Sequence, residues 1–99
     1  MIYEIRTLPE FDQWLAAIKD KTALIRLTRR LDRAQHGQFG DIKAVGDGVF
    51  EMREHFGSGW RMYYVQRGFQ MIVMLGGGDK SSQTADIAKA QKLANIIKD

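Results

Sequence analysis

Apolar positions recur at helical spacing near the start of the chain, alternate with polar ones in the middle, and return to helical spacing at the end. Phe11, Trp14, Leu15 and Ile18 fall at i, i+3, i+4 and i+7, the stripe of an amphipathic helix read as core. Thr7, with Glu10 three residues on and Pro9 in the first turn, predicts a capping box at its start. Upstream, Ile2, Tyr3 and Ile5 are β-prone. A second helix is predicted over residues 20–35, capped by Asp20, with Leu24, Leu27, Leu31 and Ala34 buried. The two should form an antiparallel hairpin, with Arg26, Arg29, Arg30 and Arg33 on the remaining face of the second helix.

Residues 42–45 form a short candidate strand after a glycine-rich connection, and Gly46-Asp47-Gly48 is placed to split it from the strand beginning at Val49. Beyond Val49 the period is two, so Phe50, Met52 and Phe56 share one side and Glu51, Arg53 and His55 the other. A three-residue loop over 57–59 would set Phe56 opposite Trp60. That register pairs His55 with Arg61, Arg53 with Tyr63 and Glu51 with Val65. One face, expected to be open and basic, would then carry Glu51, Arg53, His55, Arg61 and Tyr63. The other, with Phe50, Met52, Phe56, Trp60, Met62 and Tyr64, would rest on the helices.

Arg67-Gly68 marks another turn, and residues 69–75 are apolar at almost every position, as in an interior strand covered on both sides. Gly76, Gly77 and Gly78 then read as a strand exit needing unusual dihedrals, delivering Lys80 beside His55 and Arg61. The last helix is predicted from Ser82 to Lys98, with Ile87, Ala90, Leu93, Ala94 and Ile97 on one stripe and Ser82 and Asp86 suited to its start. The element order β-α-α-β-β-β-α describes an α+β fold. Its sheet is mostly antiparallel, with an N-terminal helical hairpin on one face and a C-terminal helix.

Composition narrows the chemistry. A chain of 99 residues, 44% hydrophobic, suits one domain over 1–99 whose active site would be a shallow surface feature. No cysteine is present, which excludes disulfides, thiolate metal sites and a thiol nucleophile. With His36 and His55 as the only histidines and no HxxxH spacing, neither a metal site nor a cofactor is expected. The start of the chain carries no leader pattern and no apolar run is long enough to span a bilayer, so the expected location is the cytoplasm, away from membranes. The net charge of +3 favours a polyanionic partner only mildly. Asp79 stands where a phosphate-binding loop needs glycine before lysine, which argues against nucleotide binding.

Two arginines, a lysine, a histidine and a tyrosine on one strand face fit a surface that grips and cleaves a phosphodiester. Arginine forks hold phosphate oxygens and stabilise the charge of a pentacoordinate transition state, and His55 or Glu51 could accept a proton from an attacking 2′-hydroxyl. The alternative reading is a solvated face in which Glu51 pairs with Arg53 or Lys80.

The segments GVFEMRE and GWRMYYVQRGFQMIVMLGGGDKSSQTADIAKA, with the helical hairpin before them, resemble the RelE/ParE toxin superfamily. The run of glutamate-hydrophobic-arginine, arginine-x-tyrosine and glycine-glycine-x-lysine-x-x-glutamine resembles its HigB-like, phage-type addiction-module killer branch. The resemblance implies a ribosome-dependent endoribonuclease that cuts translated mRNA, held inactive by a cognate helix-turn-helix antitoxin and meeting DNA only through that complex. It implies a role for Arg61 on the scissile phosphate, with Arg53 as the other strand arginine of that face and Lys80 on phosphate or ribosomal RNA, and it extends to Tyr63 and His55; on the reading adopted, His55, Tyr63 or Glu51 would move protons. Many relatives carry a catalytic tyrosine or histidine in a final strand or tail, whereas this chain ends in a helix without either. A gyrase inhibitor like those of the ParE branch, acting by binding, and a non-toxic antitoxin-binding module stand as the other readings.

Overall fold

The computed structural model describes residues 2–97. In chain order the elements are β1 (Glu4–Thr7), α1 (Pro9–Ala16), α2 (Lys21–Gln35), β2 (Ile42–Gly46), β3 (Val49–Arg53), β4 (Arg61–Arg67), β5 (Met71–Gly78) and α3 (Gln83–Ile96). A single 3-10 turn, Lys80–Ser82, leads into α3. The five strands form one sheet in the order β1-β5-β4-β3-β2, with β1 parallel to β5 and every other pair antiparallel. The α+β fold class is as expected, and Gly46-Asp47-Gly48 does split β2 from β3, with Asp47 at a φ of 56°.

Alternation assigned the sheet faces correctly. Met52, Met62, Tyr64, Ile72 and Met74 join Phe11, Leu27 and Ala34 in a core beneath α1 and α2, with Trp14, Leu15 and Trp60 packed at its margin. Val49, Tyr63, Val65, Val73 and Leu75 point the other way and meet Ala90 and Ala94 of α3. The second face is therefore not open. The apolar stripe of α3 needed a surface, and it seals Tyr63 and Glu51 completely. The expected end of that helix at Lys98 lies outside the described residues.

The start of α1 also differs from expectation. Thr7 pairs with Met74 in the ladder, and the Leu8 N–H donates to the Met74 carbonyl at 3.0 Å. Strand pairing thus runs up to the helix, whose cap position is Leu8 with no side-chain bond and Pro9 in the first turn. Asp20 caps α2 as expected, accepting from the Ala23 N–H at 3.1 Å.

Arg30 is the largest departure on α2. It lies in phase with Ala23, Leu27 and Ala34, and is 4% exposed. Its guanidinium donates to the carbonyls of Phe39, Asp41 and Arg53 and to the Glu54 carboxylate, over 2.6–3.1 Å. This capture ends β3 early. Arg53 pairs with Arg61 and Glu51 with Tyr63, a slip of two residues from the expected register, with residues 54–60 left as a longer loop. A two-residue slip keeps every side chain on its face.

The glycine run is strand and not exit. Gly76, Gly77 and Gly78 pair with Tyr63, Met62 and Arg61, and none has a positive φ. Close approach explains two of them. A Cβ on Gly77 would stand 2.5 Å from three carbons of the Trp14 ring, and one on Gly78 would collide with the Asp86 carboxylate.

Two expectations follow. Gly77→Ala should destabilise the protein by about 1–3 kcal/mol through overpacking against Trp14. Gly76→Ala, with nothing within 4 Å of the new methyl, should be neutral or stabilising by up to about 1 kcal/mol; denaturant titration of the two variants measures both. Burial pushes the Tyr64 phenol up to about 12 from 10.0, partly opposed by Arg30, and raises Tyr63 further with help from Glu51. Both pKa values are raised on folding, so the stability they carry is complete below pH 10 and falls as pH rises beyond it. Between pH 10 and about 12, phenolate absorbance from these two side chains should therefore grow mainly together with unfolding.

Candidate functional site

At the end of the sheet where β3 stops and β4 begins, His55, Gly57, Ser58, Gly59, Arg61 and Lys80 line a depression of about 200 Å³. Each arrives by a different route. Arg61 opens β4, and its Nη1 donates to the carbonyls of Gly59 and Trp60 at 3.1 and 3.3 Å. Lys80 follows β5, its N–H donating to the Ser58 carbonyl at 3.2 Å while its side chain is exposed. The tight turn of residues 56–59, closed by Gly59 N–H to the Phe56 carbonyl at 3.0 Å, keeps the floor low. Gly59 has a φ of 78°, and a Cβ there would crowd the Lys80 stem at 3.3 Å.

Beneath Arg61 lies a buried polar cluster. Glu51 Oε2 accepts from the Tyr63 hydroxyl at 3.1 Å and from Gln83 Nε2 at 2.9 Å, while Glu51 Oε1 lies 3.8 Å from Arg61 Nε. Gln83 is the first residue of α3, so this cluster fastens the helix start to the sheet. Of the six residues singled out from sequence, Arg53, His55 and Lys80 reach the surface, Arg61 lies at the floor of the depression at 6% exposed, and Glu51 and Tyr63 stand beneath it, 0% exposed.

Arg53 and His55 meet on a residue that the sequence pattern did not single out. The Asp41 carboxylate accepts from Arg53 Nη2 at 3.1 Å and from His55 Nε2 at 2.5 Å. These two bonds hold the Asp41 carboxyl below its usual range of about 3.8, with a smaller opposing effect from burial. Asp79 is held low as well, chiefly by its bond from Ser81. The expected facing pair of His55 and Arg61 is not formed in the ladder, because His55 lies in the loop; the two instead share the walls of the depression.

Arg30 and Gln83 were also missed as contributors. Arg30 had a legible signal in its phase with Ala23, Leu27 and Ala34, a buried spacing interrupted by one charge. Gln83 was present in the glycine-lysine-glutamine pattern, but nothing local marks its bond to a strand 32 residues away. Beside the depression, Arg26 sits over the Phe56 ring at 4.4 Å, and Arg26, Arg29, Arg33 and Glu54 line a second shallow hollow. No group of three His, Cys, Asp or Glu side chains among the described residues could hold a metal ion, and no described helix is long and apolar enough to cross a membrane.

Comparison with known proteins places this geometry. The solved structure of a double arginine-to-alanine mutant of the E. coli toxin RelE in the free state superposes with a TM-score of 0.73 at 13% identity, covering 98% of this chain and all of that one. The RelBE2 toxin-antitoxin complex from Mycobacterium tuberculosis gives 0.65 at 15% identity, over 81% of this chain and 100% of the matched one. The fold is therefore RelE-like. An uncharacterised protein of Haemophilus influenzae is 43% identical over 97 residues, 98% of each chain. The model of the family described as "Phage derived protein Gp49-like (DUF891)" matches residues 4–97, and the chain belongs to that family.

Proposed function

We propose that this protein is the toxin of a type II toxin–antitoxin pair, a HigB-like endoribonuclease that cleaves mRNA on the ribosome. The observation that carries this reading is the convergence of Arg61, Lys80 and His55 on one depression, with Arg53 adjoining it, at the end of a RelE-like sheet. Arg53 Nε is a donor with no acceptor among the described residues, and an arginine fork with a donor to spare suits a bound phosphate. The two solved neighbours are a toxin and a toxin-antitoxin complex, and the partner proposed here is a helix-turn-helix antitoxin.

In the proposed reaction the RNA 2′-hydroxyl attacks the adjacent phosphorus and gives its proton to His55. The P–O5′ bond breaks, the departing 5′-oxygen takes a proton from solvent, and a 2′,3′-cyclic phosphate remains. Arg61, Arg53 and Lys80 offset the added negative charge of the phosphorane, a task that protein donors perform best when fixed in place beforehand. Glu51, Tyr63 and Gln83 fix Arg61 from below. Tyr63, raised well above neutrality by burial, keeps its proton and serves as a donor to Glu51. The arginines of α2 beside the depression would meet ribosomal RNA.

Primer extension on a translated mRNA tests this reading: cleavage is expected with ribosomes and not without them. Lys80→Ala, at an exposed position, should leave the melting temperature unchanged and lower cleavage about 10- to 100-fold. Arg61→Ala should lower it at least about 100-fold, with a melting scan to show that the protein stays folded over the buried Glu51. Full growth arrest by folded Arg61→Ala would overturn the assignment, and DNA damage without translational arrest would point to gyrase instead.

A further inference from the structure

We infer that Asp41 is a positioning residue of the cleavage site, orienting His55 through Nε2 and Arg53 through Nη2 so that both face the RNA backbone. The inference rests on the ribonuclease reading and concerns a residue to which that reading gives no part. Its basis is a chain of contacts. Arg53 ends β3 and His55 lies two residues beyond it, so nothing in the sheet ladder fixes either side chain relative to the other. Both nevertheless converge on the two oxygens of one carboxylate, at 3.1 and 2.5 Å.

That carboxylate is itself fixed. The Asp41 carbonyl accepts from Arg30 Nη2 at 2.6 Å and from the Arg53 N–H at 3.0 Å. Arg30 Nη1 meanwhile holds the Arg53 carbonyl at 2.7 Å and Glu54 at 2.6 Å. One buried guanidinium thus clamps the backbone on both sides of the contact, and Asp41 carries that rigidity out to the surface.

An isolated surface pair of this kind contributes little to stability. Here its effect is geometric. With Nε2 donating to Asp41, neutral His55 carries its lone pair on Nδ1, and Nδ1 is the nitrogen presented for proton abstraction. The Asp41 backbone bonds survive truncation of its side chain, so Asp41→Ala should remain folded.

The test has two arms. In a His36→Gln background, where His55 is the sole imidazole, diethyl pyrocarbonate should acylate His55 several-fold faster once Asp41→Ala removes the acceptor. In ribosome-dependent cleavage, Asp41→Ala should lower kcat by on the order of 10- to 100-fold with little change in KM. Asp41→Glu, which keeps the carboxylate, should recover part of the rate. Unaltered acylation, unaltered kcat, or a loss that Asp41→Glu does not recover overturns the inference. Absence of cleavage by the unsubstituted protein overturns the ribonuclease reading instead, and the acylation arm then still decides whether Asp41 holds His55.

Discussion

Four acceptors converge on the buried guanidinium of Arg30, and the geometry of one end of the molecule depends on them. A charge taken out of water is costly unless its hydrogen-bonding capacity is used. Arg30 uses its capacity on backbone carbonyls at irregular positions, those of Phe39 and Asp41 in the connection after α2 and of Arg53 where β3 ends. Gly40 completes the arrangement: its φ is 70°, and a Cβ there would lie within 2.9–3.0 Å of the guanidinium. The irregular connection is thereby given a fixed shape without secondary structure of its own.

From that clamp the site is assembled by elements distant in sequence. The early end of β3 creates the loop of residues 54–60, and the glycine turn inside it opens the depression. Its opposite wall comes from the strand-to-helix passage at Lys80, steadied by Asp79, whose carboxylate accepts from the Ser81 N–H at 2.9 Å. Between the walls Arg61 lies over Glu51, whose Oε2 accepts from Tyr63 and Gln83 and whose Oε1 faces Arg61 Nε at 3.8 Å. Donors fixed beforehand need not reorganise when charge develops nearby, and around the depression Arg61 donates to the Gly59 and Trp60 carbonyls and Arg53 to Asp41, while Lys80 is exposed.

Much of this was legible from pattern alone, and the failures have physical causes. Alternation identified which residues of β3 and β4 share a face, because pleating is a local property that survives a two-residue slip. Register was misjudged because Arg30, from another element, stops β3 before the loop that local spacing favours. The face carrying Glu51, Tyr63 and Arg61 is expected from sequence to be open and basic because ionisable side chains usually meet solvent. Tyr63 and Gln83 donate to Glu51 Oε2, and the opposite charges of Glu51 and Arg61 face each other at 3.8 Å, so the group can be covered together. The uninterrupted apolar run in β5 already required cover on both faces, and α3 was the element available to supply it. The glycine run was assigned to dihedral freedom when its cause was crowding by Trp14 and Asp86, contacts that only the assembled layers create.

That run carries a mechanical consequence. At Gly77 and Gly78 the sheet has no side chains of its own, so Trp14 of α1 and Asp86 of α3 press on opposite sides of bare backbone. Elsewhere a displaced helix can be accommodated by rotamer changes in the side chains beneath it. Here the two helical layers are separated by the thickness of one peptide chain, and a shift in either is passed to the strand that leads directly to Lys80. The stretch that connects α1, α3 and the wall of the depression therefore has no side chain at Gly77 or Gly78 to absorb such a shift.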